Sequence, residues 1–232
     1  MKVILKVENV VDQTLIEKAR DFHGHLCPFL VLGLRASEIA MRRLGISSAG
    51  AVGSIREDLL AIVECNNCFA DGVQVATGCT FGNNCLIYLD LGKNALTLVR
   101  RGVWRGVRVY VDKERLDAEY FKGEVRELFE KVVVRRAGTD EDVEKLHKVW
   151  VEISYAMSNL PEEYFKVEEV GVREVERAPI FESVRCESCG ELVMKTRASL
   201  VGGKAVCLSC QGKCGAVVGR GIVPHFEIPY VR

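Results

Sequence analysis

An α+β core domain followed by a small cysteine-rich appendage is the fold class this sequence predicts, and three observations carry that prediction. Helical and strand-like patterns fall in separate blocks rather than in strict alternation, which favours α+β over a doubly wound sheet. Three short apolar runs, Leu86-Ile87-Tyr88-Leu89, Ala95-Leu96-Thr97-Leu98-Val99 and Val107-Arg108-Val109-Tyr110-Val111, follow one another across turn residues. They read as a meander, so the core should be an antiparallel-containing sheet with flanking helices. The cysteines divide into an N-terminal set, Cys27, Cys65, Cys68, Cys79 and Cys85, and a C-terminal set, Cys186, Cys189, Cys207, Cys210 and Cys214.

Composition narrows the class further. At 232 residues, 48% hydrophobic and 28% charged, the chain can bury one full core and carry a small second unit. A formal net charge of zero argues against an electrostatic grip on nucleic acid by the whole chain. Nowhere do about 18 apolar residues run together, so no membrane span is expected, and Met1-Lys2-Val3-Ile4-Leu5 lacks a signal-peptide pattern. The expectation is a cytoplasmic protein whose ten cysteines are metal ligands or redox thiols rather than a disulfide framework.

Taken in order, Val3-Ile4-Leu5 reads as a short strand, and Asp12 or Thr14 caps a brief helix running to Arg20. From Cys27 the apolar positions Leu30, Leu34, Ile39 and Met41, with Arg35, Glu38, Arg42 and Arg43 between them, fit an amphipathic helix. Pro28 belongs in its first turn and Gly45 just past its end. Leu59-Leu60-Ala61-Ile62-Val63 has the uninterrupted apolarity of a buried strand, and residues 70 to 77 read as a helix. After the three strands come two helices, about 114 to 136 and 141 to 158, with Gly138-Thr139-Asp140 as stop and cap. The alternation of valines with charges over 166 to 176 predicts a last strand. Ala178-Pro179 marks the linker, dividing the chain into domains at 1–178 and 179–232.

In the second domain Cys186-Glu187-Ser188-Cys189 and Cys207-Leu208-Ser209-Cys210 form two CxxC pairs. Each pair closes a tight turn with both thiolates on one side, and four thiolates complete a closed tetrahedral Zn²⁺ shell. With glycine turns at Gly190 and Gly202-Gly203, the arrangement predicts a treble-clef or ribbon-type zinc finger. A segment of this size with few large apolar side chains depends on such an ion to fold. Lys195, Arg197 and Lys204 give the finger a basic tint without aromatic residues for base stacking, so nucleic acid is not the expected partner.

The densest chemistry lies in Phe22-His23-Gly24-His25-Leu26-Cys27-Pro28, two imidazoles and a thiol at the start of a helix. His23 and Cys27 are four residues apart, and Cys65 and Cys68 bracket a two-residue turn. Cys79 sits in the glycine loop Thr77-Gly78-Cys79-Thr80. Spacing alone leaves two readings open: an open metal site of histidine and cysteine ligands, or small buried cysteines beside hydrogen-bonded capping histidines.

The run His23-Gly24-His25-Leu26-Cys27-Pro28, then Cys68 with Asp71, then Thr77-Gly78-Cys79-Thr80, Tyr88, Gly92-Lys93 and Ala95, resembles the formylmethanofuran dehydrogenase FmdE family. The resemblance spans about residues 15 to 160 and implies an α+β core, a homodimer and a cavity lined by the motif residues. On that basis His23, Cys27 and Cys79 are expected to hold a second transition-metal ion. Cys68, Asp71 and His25 are expected to carry any chemistry at it. The competing expectation is a non-catalytic accessory or metal-delivery subunit that docks to a molybdenum or tungsten oxidoreductase. A Cys65/Cys68 redox pair would be peculiar to this chain. Phe29 and Asn83 stand where the family commonly has glycine and lysine, which narrows the expected cavity mouth and puts anion binding by that loop in doubt.

Overall fold

The computed structural model describes residues 11–177 and 179–213 and the two strands Gly215–Val218 and Ile222–Phe226. The strand expected at Val3-Ile4-Leu5, and Cys214, lie outside the described residues. The chain divides into two compact units, Met1–Val175 and Glu176–Arg232.

Local chemistry sets the helix ends in the first unit. Helix α1 (Gln13–His23) starts where the Asp12 side chain accepts the N–H groups of Thr14 and Leu15, and stops at Gly24, whose φ of 91° ends the helical turn. Helix α2 (Pro28–Leu44) has Cys27 as its N-cap residue, proline in its first turn and the left-handed Gly45 just past its end. A short α3 (Gly50–Arg56), with no apolar stripe to announce it, buries none of its residues. Helix α4 (Cys68–Thr77) begins two residues earlier than its pattern predicts, because the Asn67 side chain accepts the Phe69 N–H at 2.9 Å.

Five strands, β1 (Leu59–Val63), β2 (Leu86–Tyr88), β3 (Ala95–Arg100), β4 (Arg105–Val111) and β5 (Phe165–Gly171), form one sheet in the order β2-β1-β3-β4-β5. The expected meander is therefore corrected at its first step. β1 lies between β2 and β3, parallel to β2 (Ala61↔Leu86) and antiparallel to β3 (Ala61↔Leu98). The reason is apolarity: β1 has no polar side chain and suits a central place, whereas β2 spans three residues and suits an edge. The chain after β2 passes the end of β1, donating the Leu89 and Lys93 N–H groups to the Val63 and Glu64 carbonyls, and enters β3 on the far side. β3 and β4 pair antiparallel as predicted, and β5 adds antiparallel to β4 at the far edge.

The single helix expected over 114 to 136 is instead α5 (Lys113–Glu119), α6 (Glu124–Phe129) and a π-helical turn over Glu130–Val134. Gly123, at φ 59° and ψ −135°, breaks it. Helix α7 (Asp140–Ser158) begins on a capping box between Thr139 and Asp142. The core lies where α2 and α4 pack on the sheet and α7 packs on α2, with Leu30, Leu34, Phe69, Leu96, Leu98, Val109 and Met157 all closed to solvent. Arg35 and Glu64 are charged residues buried in this unit. Arg35 of α2 donates Nε–H to the Leu160 carbonyl at 3.0 Å and pairs with Glu38, tying α2 to the end of α7.

Helices α2 and α4 meet closer than side chains allow. A Cβ at Gly33 would overlap the Phe69 carbonyl oxygen and lie 3.1 Å from the Gly72 Cα. One at Gly72 would overlap the Leu30 carbonyl oxygen and lie 2.9 Å from the Leu34 backbone nitrogen. Two facing glycines thus set the crossing, and with it the separation of the two helix starts, Cys27 and Cys68.

The second unit consists of antiparallel strand pairs: β6 (Ser183–Arg185) with β7 (Leu192–Met194), and β8 (Ala198–Val201) with β9 (Lys204–Cys207). A third pair is β10 (Gly215–Val218) with β11 (Ile222–Phe226).

Candidate metal centres

His23 is the last residue of α1, and the left-handed Gly24 turns the chain so that His25 and Cys27 follow on the way into α2. Asp71 lies in the first turn of α4. The His23 Nδ1 is 2.7 Å from Asp71 Oδ2, while Asp71 Oδ1 accepts from Gln74 Nε2 at 3.1 Å. With Nδ1 held by the carboxylate, Nε2 points away from it and lies 3.8 Å from Cys27 Sγ. The ligand atoms of His23, His25 and Cys27 all fall within 4.8 Å of one another.

Cys68, which opens α4, lies near enough to Cys27 and His23 to interact with both. The thiol of Cys27 is pushed up, first by its hydrogen bond to Cys68 and then by burial. That of Cys68 is drawn down to about 6, chiefly by the same bond and by His23. Both sulfurs stand at helix N-termini, where the positive end of the helix dipole favours thiolate. His25 stacks on Trp150 of α7 (5.9 Å between centroids, 24° between planes) and lies 4.5 Å from the His23 ring. Its pKa is lowered by burial and then by the neighbouring His23 and His147.

Cys79 does not join this group, which corrects its expected place as a core ligand. Helix α4 is 10 residues long, about 15 Å at the usual rise. Cys68 opens that helix and Cys79 follows its end. Cys79 is fully buried beside Thr77 and Cys85, with its thiol raised to about 11 by that burial. Nor does Cys65 turn toward Cys68. Its S–H donates to Asn67 Oδ1 at 3.6 Å, and burial pushes its pKa up to about 12. Cys68 meets Cys27 instead.

In the second unit the sulfurs of Cys186, Cys189, Cys207 and Cys210 likewise lie within 4.8 Å of one another. The Cys207 N–H donates to Cys186 Sγ at 3.3 Å and the Cys210 N–H to Cys207 Sγ at 3.4 Å. Such donors stabilise thiolate, and the backbone N–H groups of Cys207 and then Cys189 hold Cys186 down at about 6.

Residues 22–166 match the family model described as "FmdE, Molybdenum formylmethanofuran dehydrogenase operon". The chain belongs to the FmdE family. Residues 179–213 match a second model, the prokaryotic dksA/traR C4-type zinc finger. The FmdE chain is 59% identical over 209 residues to a protein of Archaeoglobus fulgidus named "Probable S-adenosyl-L-methionine-binding protein". That match covers 90% of this chain and 56% of the relative's length. Among solved structures, a tungsten formylmethanofuran dehydrogenase FmdE-like protein from Syntrophus aciditrophicus superposes with a TM-score of 0.56 at 25% identity. The superposition covers 86% of this chain and 91% of the other. Among the described residues no helix is long and apolar enough to cross a membrane.

The α+β core with its mixed sheet and the C-terminal C4 finger thus agree with the sequence reading, as does the resemblance to this family. Sequence reasoning missed Trp150 and His147, which α7 brings to the FmdE-type site at helical spacing on one face. Nothing in the local pattern of α7 links them to residues some 120 positions earlier.

Proposed function

We propose that the core domain of this metal-binding FmdE protein holds a transition-metal ion through His23, Cys27 and Cys68, with His25 beside it as a further donor. One observation carries the reading: Asp71 holds the His23 Nδ1–H and thereby presents Nε2 to the two thiols. A carboxylate–histidine–metal relay has this form, and a nitrogen donor with two sulfurs suits zinc and other borderline or soft ions. Three firm protein ligands leave a coordination position for water or substrate. When bound, the ion supplies Lewis acidity at that position. The residues do the rest: Asp71 orients His23, and His25, favoured neutral by its surroundings, is placed to take up a proton. The finger carries a structural zinc on its four cysteines.

Metal analysis of anaerobically purified protein tests the reading. Wild type is expected to hold two ions per chain. Cys27→Ser should lose the core ion and stay folded. A single ion per chain, unaffected by Cys27→Ser, would overturn the core site. Asp71→Asn should keep the fold and weaken core-ion affinity roughly 10- to 100-fold, as loss of an orienting partner does elsewhere. Competition titration with a chromophoric chelator reads that change, and unaltered affinity would remove Asp71 from the relay.

The family's operon context supports a cytoplasmic protein associated with a molybdenum or tungsten oxidoreductase, either acting on a substrate at the open position or delivering its metal as an accessory subunit. Co-purification with such an enzyme favours the accessory role, and turnover by the isolated protein favours catalysis. A homodimer is the proposed assembly, tested by light scattering on the purified chain. The name of the Archaeoglobus relative makes S-adenosyl-L-methionine the first small molecule to titrate, by calorimetry, against the metal-loaded protein.

A further inference from the structure

The two histidines of the core site are fixed in different ways. His23 is held by the edge of its ring, with Nδ1 2.7 Å from Asp71 Oδ2, so one nitrogen is engaged and the other is aimed. His25 is held by its face. Its ring stacks on Trp150, 5.9 Å between centroids and 24° between planes, and has the His23 ring as its other aromatic neighbour at 4.5 Å. Among the described residues no hydrogen bond reaches either nitrogen of His25. Stacking sets the plane of an imidazole and leaves the lone pair at its edge free for an ion. Trp150 is backed in turn by Phe129 of α6, 6.4 Å away and tilted by 45°, and its helix packs along α2. His25 itself lies between the end of α1 and the start of α2, where no helical backbone restricts its rotamers.

We propose that Trp150 is a positioning residue that holds His25 as the fourth donor to the core ion, a donor that an incoming ligand displaces. The inference rests on the core-site reading above and adds what governs its open position. The ligand atoms of His23, His25 and Cys27 lie within 4.8 Å of one another, close enough for one ion to draw them together. His23 is a firm ligand, because turning its ring would break the bond to Asp71. His25 has no such bond to break. Leaving the ion costs it only part of a ring contact, so it is the donor that yields. The site is thus closed at rest by four protein donors and opens when a ligand arrives. Trp150 sets how readily it does so, from a helix that carries none of the donors.

The test fills the full-length chain with ¹¹³Cd²⁺ and reads both sites by cadmium NMR, with histidine rings labelled with ¹⁵N so that each bound imidazole shows its coupling to the ion. The finger resonance is the internal reference. Wild type should give a core resonance coupled to two imidazoles, and His25→Ala should remove one coupling. Trp150→Leu should weaken core-ion affinity roughly 3- to 10-fold, the range of a lost aromatic contact, and remove the His25 coupling. Trp150→Phe should keep both, and the finger resonance should stay in place in either variant. Phe129→Leu leaves the Trp150 ring unbacked and should give a smaller loss in the same direction. It decides the matter if Trp150→Leu does not fold. Adding 2-mercaptoethanol to wild type should remove the His25 coupling and keep that of His23. A wild-type core resonance coupled to one imidazole overturns His25 as a donor, and with it the role of Trp150. Unchanged affinity and coupling in folded Trp150→Leu, or in Phe129→Leu where the first does not fold, overturns the positioning alone. Loss of both couplings to the thiol, or of neither, overturns displacement. A wild type that gives only the finger resonance overturns the core-site reading itself and this inference with it.

Discussion

Replacing Gly72 by alanine is expected to destabilise the core domain by about 3 kcal/mol, lowering its melting temperature by roughly 6 to 12 °C. The sign is opposite to the usual one. In a helix interior alanine is normally favoured over glycine by about 1 kcal/mol, and both Gly72 and Gly33 lie inside helices. Here the added methyl meets backbone, the Leu30 carbonyl and the Leu34 nitrogen, which cannot move aside as a flexible side chain would. Helices α2 and α4 must separate or shift, and the two sulfurs at their starts move with them. Loss of core-ion affinity should therefore accompany the loss of stability, although the atoms that an added Gly72 methyl meets first belong to Leu30, Leu34 and Gly33 and not to a donor. Gly53→Ala is the control: its Cβ would meet nothing closer than 3.7 Å, so it should be neutral or slightly stabilising. Thermal unfolding followed by circular dichroism separates the two, and a Gly72→Ala protein as stable as wild type would refute the close crossing.

In the second unit the large effect comes from the ion. Cys186→Ser should abolish zinc binding by the finger and unfold residues 182 to 213, while the core keeps its own cooperative transition. Cys186 and Cys207 are the only buried side chains there among the described residues, 0% and 7% exposed, whereas Leu192, Met194, Leu200 and Val201 all face solvent. Apolar burial cannot hold such a unit, and structural zinc typically supplies on the order of 10 kcal/mol of folding free energy. Amide hydrogen exchange reads the outcome residue by residue. Fast exchange over the finger with unchanged protection in α2 and β3 is the expected pattern, and a finger that remains protected in Cys186→Ser would show that it folds without its ion.

Much of this molecule was legible from local chemistry. The α2 boundaries followed from Pro28 and Gly45, the α7 start from the stop and cap at Gly138-Thr139-Asp140, and the cysteines of the finger from two CxxC turns. The break in the predicted 114 to 136 helix was less visible, since one glycine among good helix formers is compatible with either outcome and packing decided it. Of the core constellation, His23 and Cys27 could be paired from their four-residue spacing. Cys79 was misplaced, because a glycine loop declares flexibility and says nothing of which end of a helix it lies beyond.

Short-range signals in the chain therefore determine the elements they bound, the zinc-binding spacing of the finger, and the motif order that marks an FmdE-family core. Docking of the elements decides that β1 enters between β2 and β3, that Cys68 faces Cys27 rather than Cys65, and that α7 supplies Trp150 behind His25. The difference is one of range. Caps, turns and chelating spacings are contacts within a few residues, which the chain encodes directly. The meeting of Cys27 with Cys68 depends on two glycines 39 positions apart, Gly33 and Gly72, packing backbone against backbone, and neither announces its partner until the helices have docked.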